Sequence, residues 1–252
     1  MTEHHYANNP YWQHNYNELR QWIAACGLER GRVLEIGCGL GLTQHLVPDY
    51  TGIDIASYPK TLMHKPFCIS NSMRLPFADN TFDGVWSIWV LEHVEKPEKM
   101  LAEMRRVVRP GGHLFICAGF AVDSWISQGI HRRPFSDLTW PQRLTKLTIP
   151  IRGSIPYKIA TTLPWRIYDL LRSLTKSGPL PLRYRNLQPN YEIYWDYDAD
   201  ACVSLDSYNL ALYFLSRGDT PYYPRGILRS FLLRSQPQAY TVRKEQDDVR
   251  VG

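Results

Sequence analysis

Several features are missing from this 252-residue sequence, and each absence narrows the reading. No apolar run approaches the roughly 18–20 residues needed to span a bilayer, so no membrane-spanning helix is expected. The opening "MTEHHYANNP" lacks a basic-then-apolar pattern, so no secretory leader is expected and a cytoplasmic setting follows. No C-x-x-C pair occurs. Cys26, Cys38, Cys68, Cys117 and Cys202 lie far apart, several inside apolar runs where cysteine acts as a small hydrophobe, so neither a disulfide framework nor a bound metal is expected. No internal repeat is present. At 44% hydrophobic residues the chain can bury a core, which excludes disorder for its bulk.

Acidic residues are scarce in one region. Residues 1–119 carry 11 Lys+Arg against 12 Asp+Glu, whereas residues 120–252 carry 18 against 12. Between Arg132 and Arg185 there are 11 Lys+Arg and only Asp137 and Asp169, interleaved with Trp140, Tyr157, Trp165, Tyr168 and Tyr184. Such a surface suits an anionic partner.

Leu19, Trp22, Ile23 and Cys26 recur at i, i+3, i+4 and i+7, which predicts an amphipathic helix behind an unusual aromatic lead, "NPYWQHNY". Short apolar runs at 33–36, 50–54, 67–70, 83–88 and 113–118 read as buried parallel strands. "PEKMLAEMRRVV" is a helix with Pro97 near its start, basic residues late and "RPGG" as its stop. The fold class expected is α/β, a doubly wound, Rossmann-like, mostly parallel sheet with helices on both faces. After Gly119 the rhythm changes, with eight prolines between Pro134 and Pro189. "SLDSYNLALYFLSRG" resumes as a helix with Asp206 as N-cap and Gly218 as stop, and "QAYTVRK" reads as a closing strand. The organisation expected is an N-terminal helical segment (1–30), a core (31–119), a basic cap or insertion (120–200) and a return to the sheet (201–252). Within the cap, Ile167, Leu170, Leu171 and Leu174 share one helical face, expected to pack on the domain. A membrane-surface helix with basic flanks is the second reading.

The stretch "VLEIGCGLG" runs from a strand into glycines at 37, 39 and 41, and a helix is expected to follow. Glycine allows backbone N–H groups to approach a ligand that a Cβ would block. A dinucleotide fingerprint needs its third glycine at position 42, which is Leu42. The loop instead resembles motif I of the class I S-adenosylmethionine-dependent methyltransferases, acidic-x-Gly-x-Gly-x-Gly. "YTGIDIA", "SNSMRLPFADNTFDGVWSIWVLEHV" and "MLAEMRRVVRPGGHLFI" resemble the small-molecule, type 11-like branch of that family in order and spacing, over roughly residues 31–118.

The resemblance implies S-adenosyl-L-methionine as cofactor. Gly37, Gly39 and Gly41 would line its methionine and ribose part, and Glu35 would orient the loop or the amino group. Asp54 would hold the ribose hydroxyls, and Ile55 would lie on the adenine. Asn71, with Ser72 and Met73, stands where the family usually has an acidic residue accepting from the adenine amino group; an amide oxygen also accepts. The backbone of Ser87, just after strand four, would accept from the cofactor's amino group. His93 in "LEHV" is the first candidate base for an acceptor hydroxyl, with Asp123 and His131 beyond strand five as further catalytic candidates. Glu92 is expected to be an exposed helix-start charge.

Two partial matches fail. "NNPY" at 8–11 precedes strand one, whereas the Asn-Pro-Pro-Tyr signature it resembles follows strand four. "DYDAD" (Asp196, Asp198, Asp200) has Ala201 and Ser207 where a calcium loop needs Gly and Glu, so a solvated acidic turn is expected, with acceptor contact or metal as lesser readings.

The activity expected is methyl transfer to oxygen or nitrogen of a small-molecule or saccharide acceptor, anionic or lipid-linked in view of the basic cap. Peripheral contact with the inner face of the membrane goes with that reading. A non-catalytic methyltransferase-like subunit that binds cofactor or partner is the alternative. An RNA methyltransferase is a further one, weakened because no RNA-binding module is recognised.

Overall fold

The computed structural model describes residues 9–191, 198–222, 231–232 and 237–244. Its strands are β1 (Val33–Ile36), β2 (Tyr50–Asp54), β3 (Phe67–Ile69), β4 (Phe82–Ile88), β5 (Val108–Cys117), β6 (Tyr184–Asn186), β7 (Val203–Leu205), β8 (Thr220–Pro221) and β9 (Gln238–Thr241). Its helices are α1 (Pro10–Ala25), α2 (Pro97–Val107), the single turn α3 (Ser124–Ser127), α4 (Trp140–Arg152), α5 (Ile155–Thr175) and α6 (Ser207–Leu215).

Seven strands form one sheet in the order β3-β2-β1-β4-β5-β9-β8. The first five are parallel, and β9 closes antiparallel against β5 with Leu114 opposite Tyr240. β1 is buried along its whole length because the sheet is covered on both faces. Leu34 and Ile36 face a layer that includes Met100, Leu101 and Met104 of α2 and Leu210 and Phe214 of α6. Val33 faces the opposite layer, with Leu19, Trp22 and Ile23 of α1. The doubly wound α/β expectation therefore holds. Strand order reverses beside β1, so the carboxyl ends of β1 and β4 open a crevice of the kind in which α/β sheets bind ligands.

The caps predicted from sequence form as well. The Asp206 carboxylate accepts from the backbone N–H groups of Tyr208 and Asn209 at the start of α6, and Gly218 takes φ +79° after its end. "RPGG" behaves differently: α2 ends at Val107, and Arg109–Gly112 bulges within β5, shifting its register against β4.

The helix expected after the glycine loop is absent. Residues 42–45 make only turns, with the N–H of Gln44 donating to Gly41 O and that of Leu46 to Thr43 O. Gly41 sits at φ +69° and Pro48 follows soon after, leaving room for fewer than two helical turns. So short a segment does not offset the cost of helix nucleation.

The cap also departs from expectation. Helix α5 buries Arg166 and Asp169, while Ile167, Leu171 and Leu174 are 44%, 55% and 74% exposed. Only Leu170 of the expected packing face turns inward, beside Leu180, Tyr208 and Leu212. Ion pairs decide this orientation. Arg166 pairs with Asp206 at 2.9 Å, and Asp169 accepts from Arg183 and, at 3.1 Å, from Asn209 Nδ2. Helix α4 buries no residue at all.

Candidate functional site

The crevice is lined first by the glycine loop. Gly37, Gly39 and Gly41 take φ values of +71°, +48° and +69°, a region that side chains with a Cβ rarely enter. A Cβ on Gly37 would stand 2.2 Å from Val90 Cγ2, and one on Gly41 2.5 Å from Met63 Sδ. A Cβ on Gly39 would meet no described atom within 4 Å, so the middle of the loop opens onto free space. The loop is pinned from two sides. Asp54, at the end of β2, accepts from Gly39 N–H at 3.0 Å and from Ala56 N–H at 2.9 Å. Glu35, fully enclosed on β1, accepts from the hydroxyls of Thr43 and Tyr50, so it ties the far end of the loop back to the sheet. Burial pushes its carboxyl up to about 7, and the two hydroxyls moderate that rise.

A backbone loop with an open centre, a carboxylate at the end of the next strand and an exposed apolar neighbour fits an adenosine ligand. Ile55, 77% exposed beside Asp54, supplies that neighbour. Asn71 uses its side-chain oxygen to accept from Met73 N–H at 2.9 Å, closing the turn that holds Asn71, Ser72 and Met73. Its second lone pair remains for a ligand donor. Ser87 is the penultimate residue of β4, paired with Ile36 and Ile116 inside the ladder rather than past its end as expected. Strand β4 simply runs to Ile88.

The sequence reading missed an aromatic wall. Trp89, directly after β4, takes φ +57° and packs against Trp12 of α1 with centroids 5.7 Å apart. Tyr16 of the same helix hydrogen-bonds His45 at 2.8 Å, in the turn that leaves the glycine loop. The lead "NPYWQHNY" was the available signal.

Beyond Val90 lies a second cluster. Glu92 is only 1% exposed, which corrects its expected place as a surface charge. Its Oε1 accepts from Gly119 N–H at 2.8 Å, at the end of β5, while Oε2 has no hydrogen-bond partner. Burial raises this carboxyl to about 7, and His93 and the Gly119 N–H act in the opposite direction. His93 places Nδ1 3.5 Å from Asp200 Oδ1 and Nε2 4.0 Å from Glu92 Oε1. Asp198, at φ +61°, brings a carboxylate oxygen into the same group, within 4.8 Å of ligating-type atoms of Glu92 and His93. The "DYDAD" segment is thus not merely a solvated turn: Asp198 and Asp200 return to the end of β4, and Asp196 lies outside the described residues. The other two catalytic candidates are tied elsewhere. Asp123 faces Lys158 at 4.0 Å, and His131 stacks edge-on against Trp125.

Residues 34–116 match a family described as a methyltransferase domain. The chain is 34% identical over 114 residues to a demethylmenaquinone methyltransferase of Renibacterium salmoninarum, covering 39% of this chain and 48% of that one. It is also 34% identical over 113 residues to a 2-methyl-6-phytyl-1,4-hydroquinone methyltransferase of Synechocystis, covering 39% and 35% respectively. The chain thus spans about half, or less, of the length of these relatives. Among solved structures, S-adenosylmethionine-bound CalS10, an amino pentose methyltransferase from Micromonospora echinaspora, aligns with a TM-score of 0.41 and 18% identity over 46% of this chain and 55% of that one. The sheet order, the glycine loop pinned to Asp54 and the match over residues 34–116 together identify the core as a class I S-adenosylmethionine-dependent methyltransferase domain.

Proposed function

We propose that the chain methylates a small-molecule acceptor, with the methyl donor held by the loop Glu35–Gly41, Asp54, Ile55 and the turn at Asn71–Met73. The observation that carries this reading is the Gly39–Asp54 hydrogen bond, which joins residues 15 apart in sequence into one cradle with an open centre. When bound, S-adenosyl-L-methionine supplies an electrophilic methyl on a good leaving group, so the protein needs no acid for departure. Its work is orientation, water exclusion and, for a hydroxyl or ammonium acceptor, removal of a proton. His93 is the group for that proton, positioned by Asp200 and Glu92. The buried Glu92 carboxyl lies 4.0 Å from His93 Nε2, and Gly119 N–H keeps Glu92 in place. The acceptor proposed carries a hydroxyl or amine and is anionic or lipid-linked, in keeping with the basic cap; a saccharide fits this description.

Calorimetry tests the cradle. Asp54→Ala is expected to weaken binding of the cofactor and of its demethylated product at least about tenfold, from loss of charge-assisted hydrogen bonds. Unchanged affinity overturns the site. Cell extract incubated with methyl-labelled cofactor tests turnover: label is expected in the saccharide or lipid fraction and is lost with His93→Ala. Tight cofactor binding with no labelled product in any fraction favours the binding-only alternative.

A further inference from the structure

Helices α4 and α5 carry 13 of the 20 exposed large hydrophobic residues among those described. Such concentration is unusual for a surface that meets only water. On α4 the exposed residues Trp140, Leu144, Leu147 and Ile151 recur at i, i+4, i+7 and i+11, one continuous stripe. On α5 Ile159, Leu163, Ile167 and Leu171 recur every fourth position, each between 37% and 55% exposed. Both helices are thus amphipathic with the apolar stripe turned away from the protein. Helix α5 is held in that sense by its polar face, through Arg166–Asp206 and Asp169–Arg183.

The charge pattern selects the occupant. Between Trp140 and Thr175 there are six Lys+Arg and one acid, Asp169. Arg166 and Asp169 are consumed in the internal ion pairs and Lys158 faces Asp123, which leaves Arg143, Lys146, Arg152 and Arg172 with no acidic residue on either helix to balance them. A second copy of this face would bring like charges together, whereas an anionic lipid surface satisfies apolar stripe and cations at once. Neither helix is long and apolar enough to cross a bilayer, so the contact lies in the interfacial plane. We propose that α4 and α5 form a docking hairpin for anionic lipid headgroups, with Trp140 and the leucine and isoleucine stripes seated at the acyl boundary. The hairpin connects to the site side of the domain through Lys158, which faces Asp123 in the segment that follows β5.

The test is co-sedimentation of the whole chain with phosphatidylcholine vesicles and with mixed phosphatidylcholine–phosphatidylglycerol vesicles. Binding is expected to the mixed vesicles, with release at high salt. Arg152→Gln and Lys158→Gln are each expected to weaken it roughly fivefold. Leu147→Gln combined with Ile151→Gln and Leu171→Gln is expected to weaken it at least about tenfold. Leu147, Ile151 and Leu171 are exposed and none of the five substituted residues belongs to the cofactor cradle, so calorimetry with the cofactor is expected to show unaltered affinity, which separates this proposal from the site assignment. Failure of the wild-type chain to sediment with anionic vesicles overturns the proposal. So does equal binding to both vesicle types, or binding that survives the apolar substitutions. A stable dimer in sedimentation velocity, dispersed by those substitutions and without vesicle binding, assigns the face to a second copy instead.

Discussion

Glu35→Gln isolates the cost of keeping a carboxylate inside the core. The group is enclosed on β1, with its carboxyl raised from 4.5 to about 7 by burial. Because the folded value lies above the unfolded one, folding favours the neutral acid. The penalty on stability is negligible well below pH 4.5, grows as the pH rises through the interval and levels off once the pH passes about 7. At 1.36 kcal/mol per pH unit the interval amounts to about 3 kcal/mol, of which about 1 kcal/mol is already present at pH 5. Glutamine keeps an acceptor for Thr43 and Tyr50 but cannot ionise. The variant is therefore expected to gain about 2 kcal/mol on the wild type between pH 5 and pH 8, on top of a constant offset. Urea unfolding of both proteins at several pH values measures this difference. Glu92 also titrates in this range, but it is present in both proteins and cancels. A difference that stays flat with pH, or that narrows as pH rises, refutes the reasoning.

Four further outcomes are expected. Gly37→Ala, with φ +71° and a Cβ 2.2 Å from Val90, should lose roughly 2–4 kcal/mol of stability in denaturant melts. Gly39→Ala, which meets open space, should lose only about 1 kcal/mol yet bind the cofactor at least about tenfold more weakly by calorimetry. Arg166→Leu breaks the largely buried pair with Asp206 and should cost roughly 3 kcal/mol, with faster proteolysis of the α4–α5 hairpin. Gly119→Ala puts a Cβ 2.9 Å from Glu92 Oε1 and should lower turnover in a methyl-transfer assay while leaving cofactor affinity unchanged.

Local pattern was enough to read the strands β1, β2 and β4, the helices α1, α2 and α6, the Asp206 cap and the glycine loop. Each depends on residues a few positions apart, through alternation, helical spacing or a required φ. Asp54 was legible through the family resemblance, as the acidic residue that ends the second strand. Three things needed the tertiary structure. Glu92 looked like a surface charge because nothing nearby in sequence shows that Gly119 and Asp198 fold against it, and "DYDAD" looked solvated for the same reason. The missing helix after Gly41 was by contrast legible in principle, because only six residues separate Gly41 from Pro48. Periodicity found the apolar face of α5 but not its direction. Amphipathicity specifies two faces, and only the ion-pair partners Asp206 and Arg183 and the hydrogen-bond donor Asn209, distant in sequence, determine which of them meets the protein.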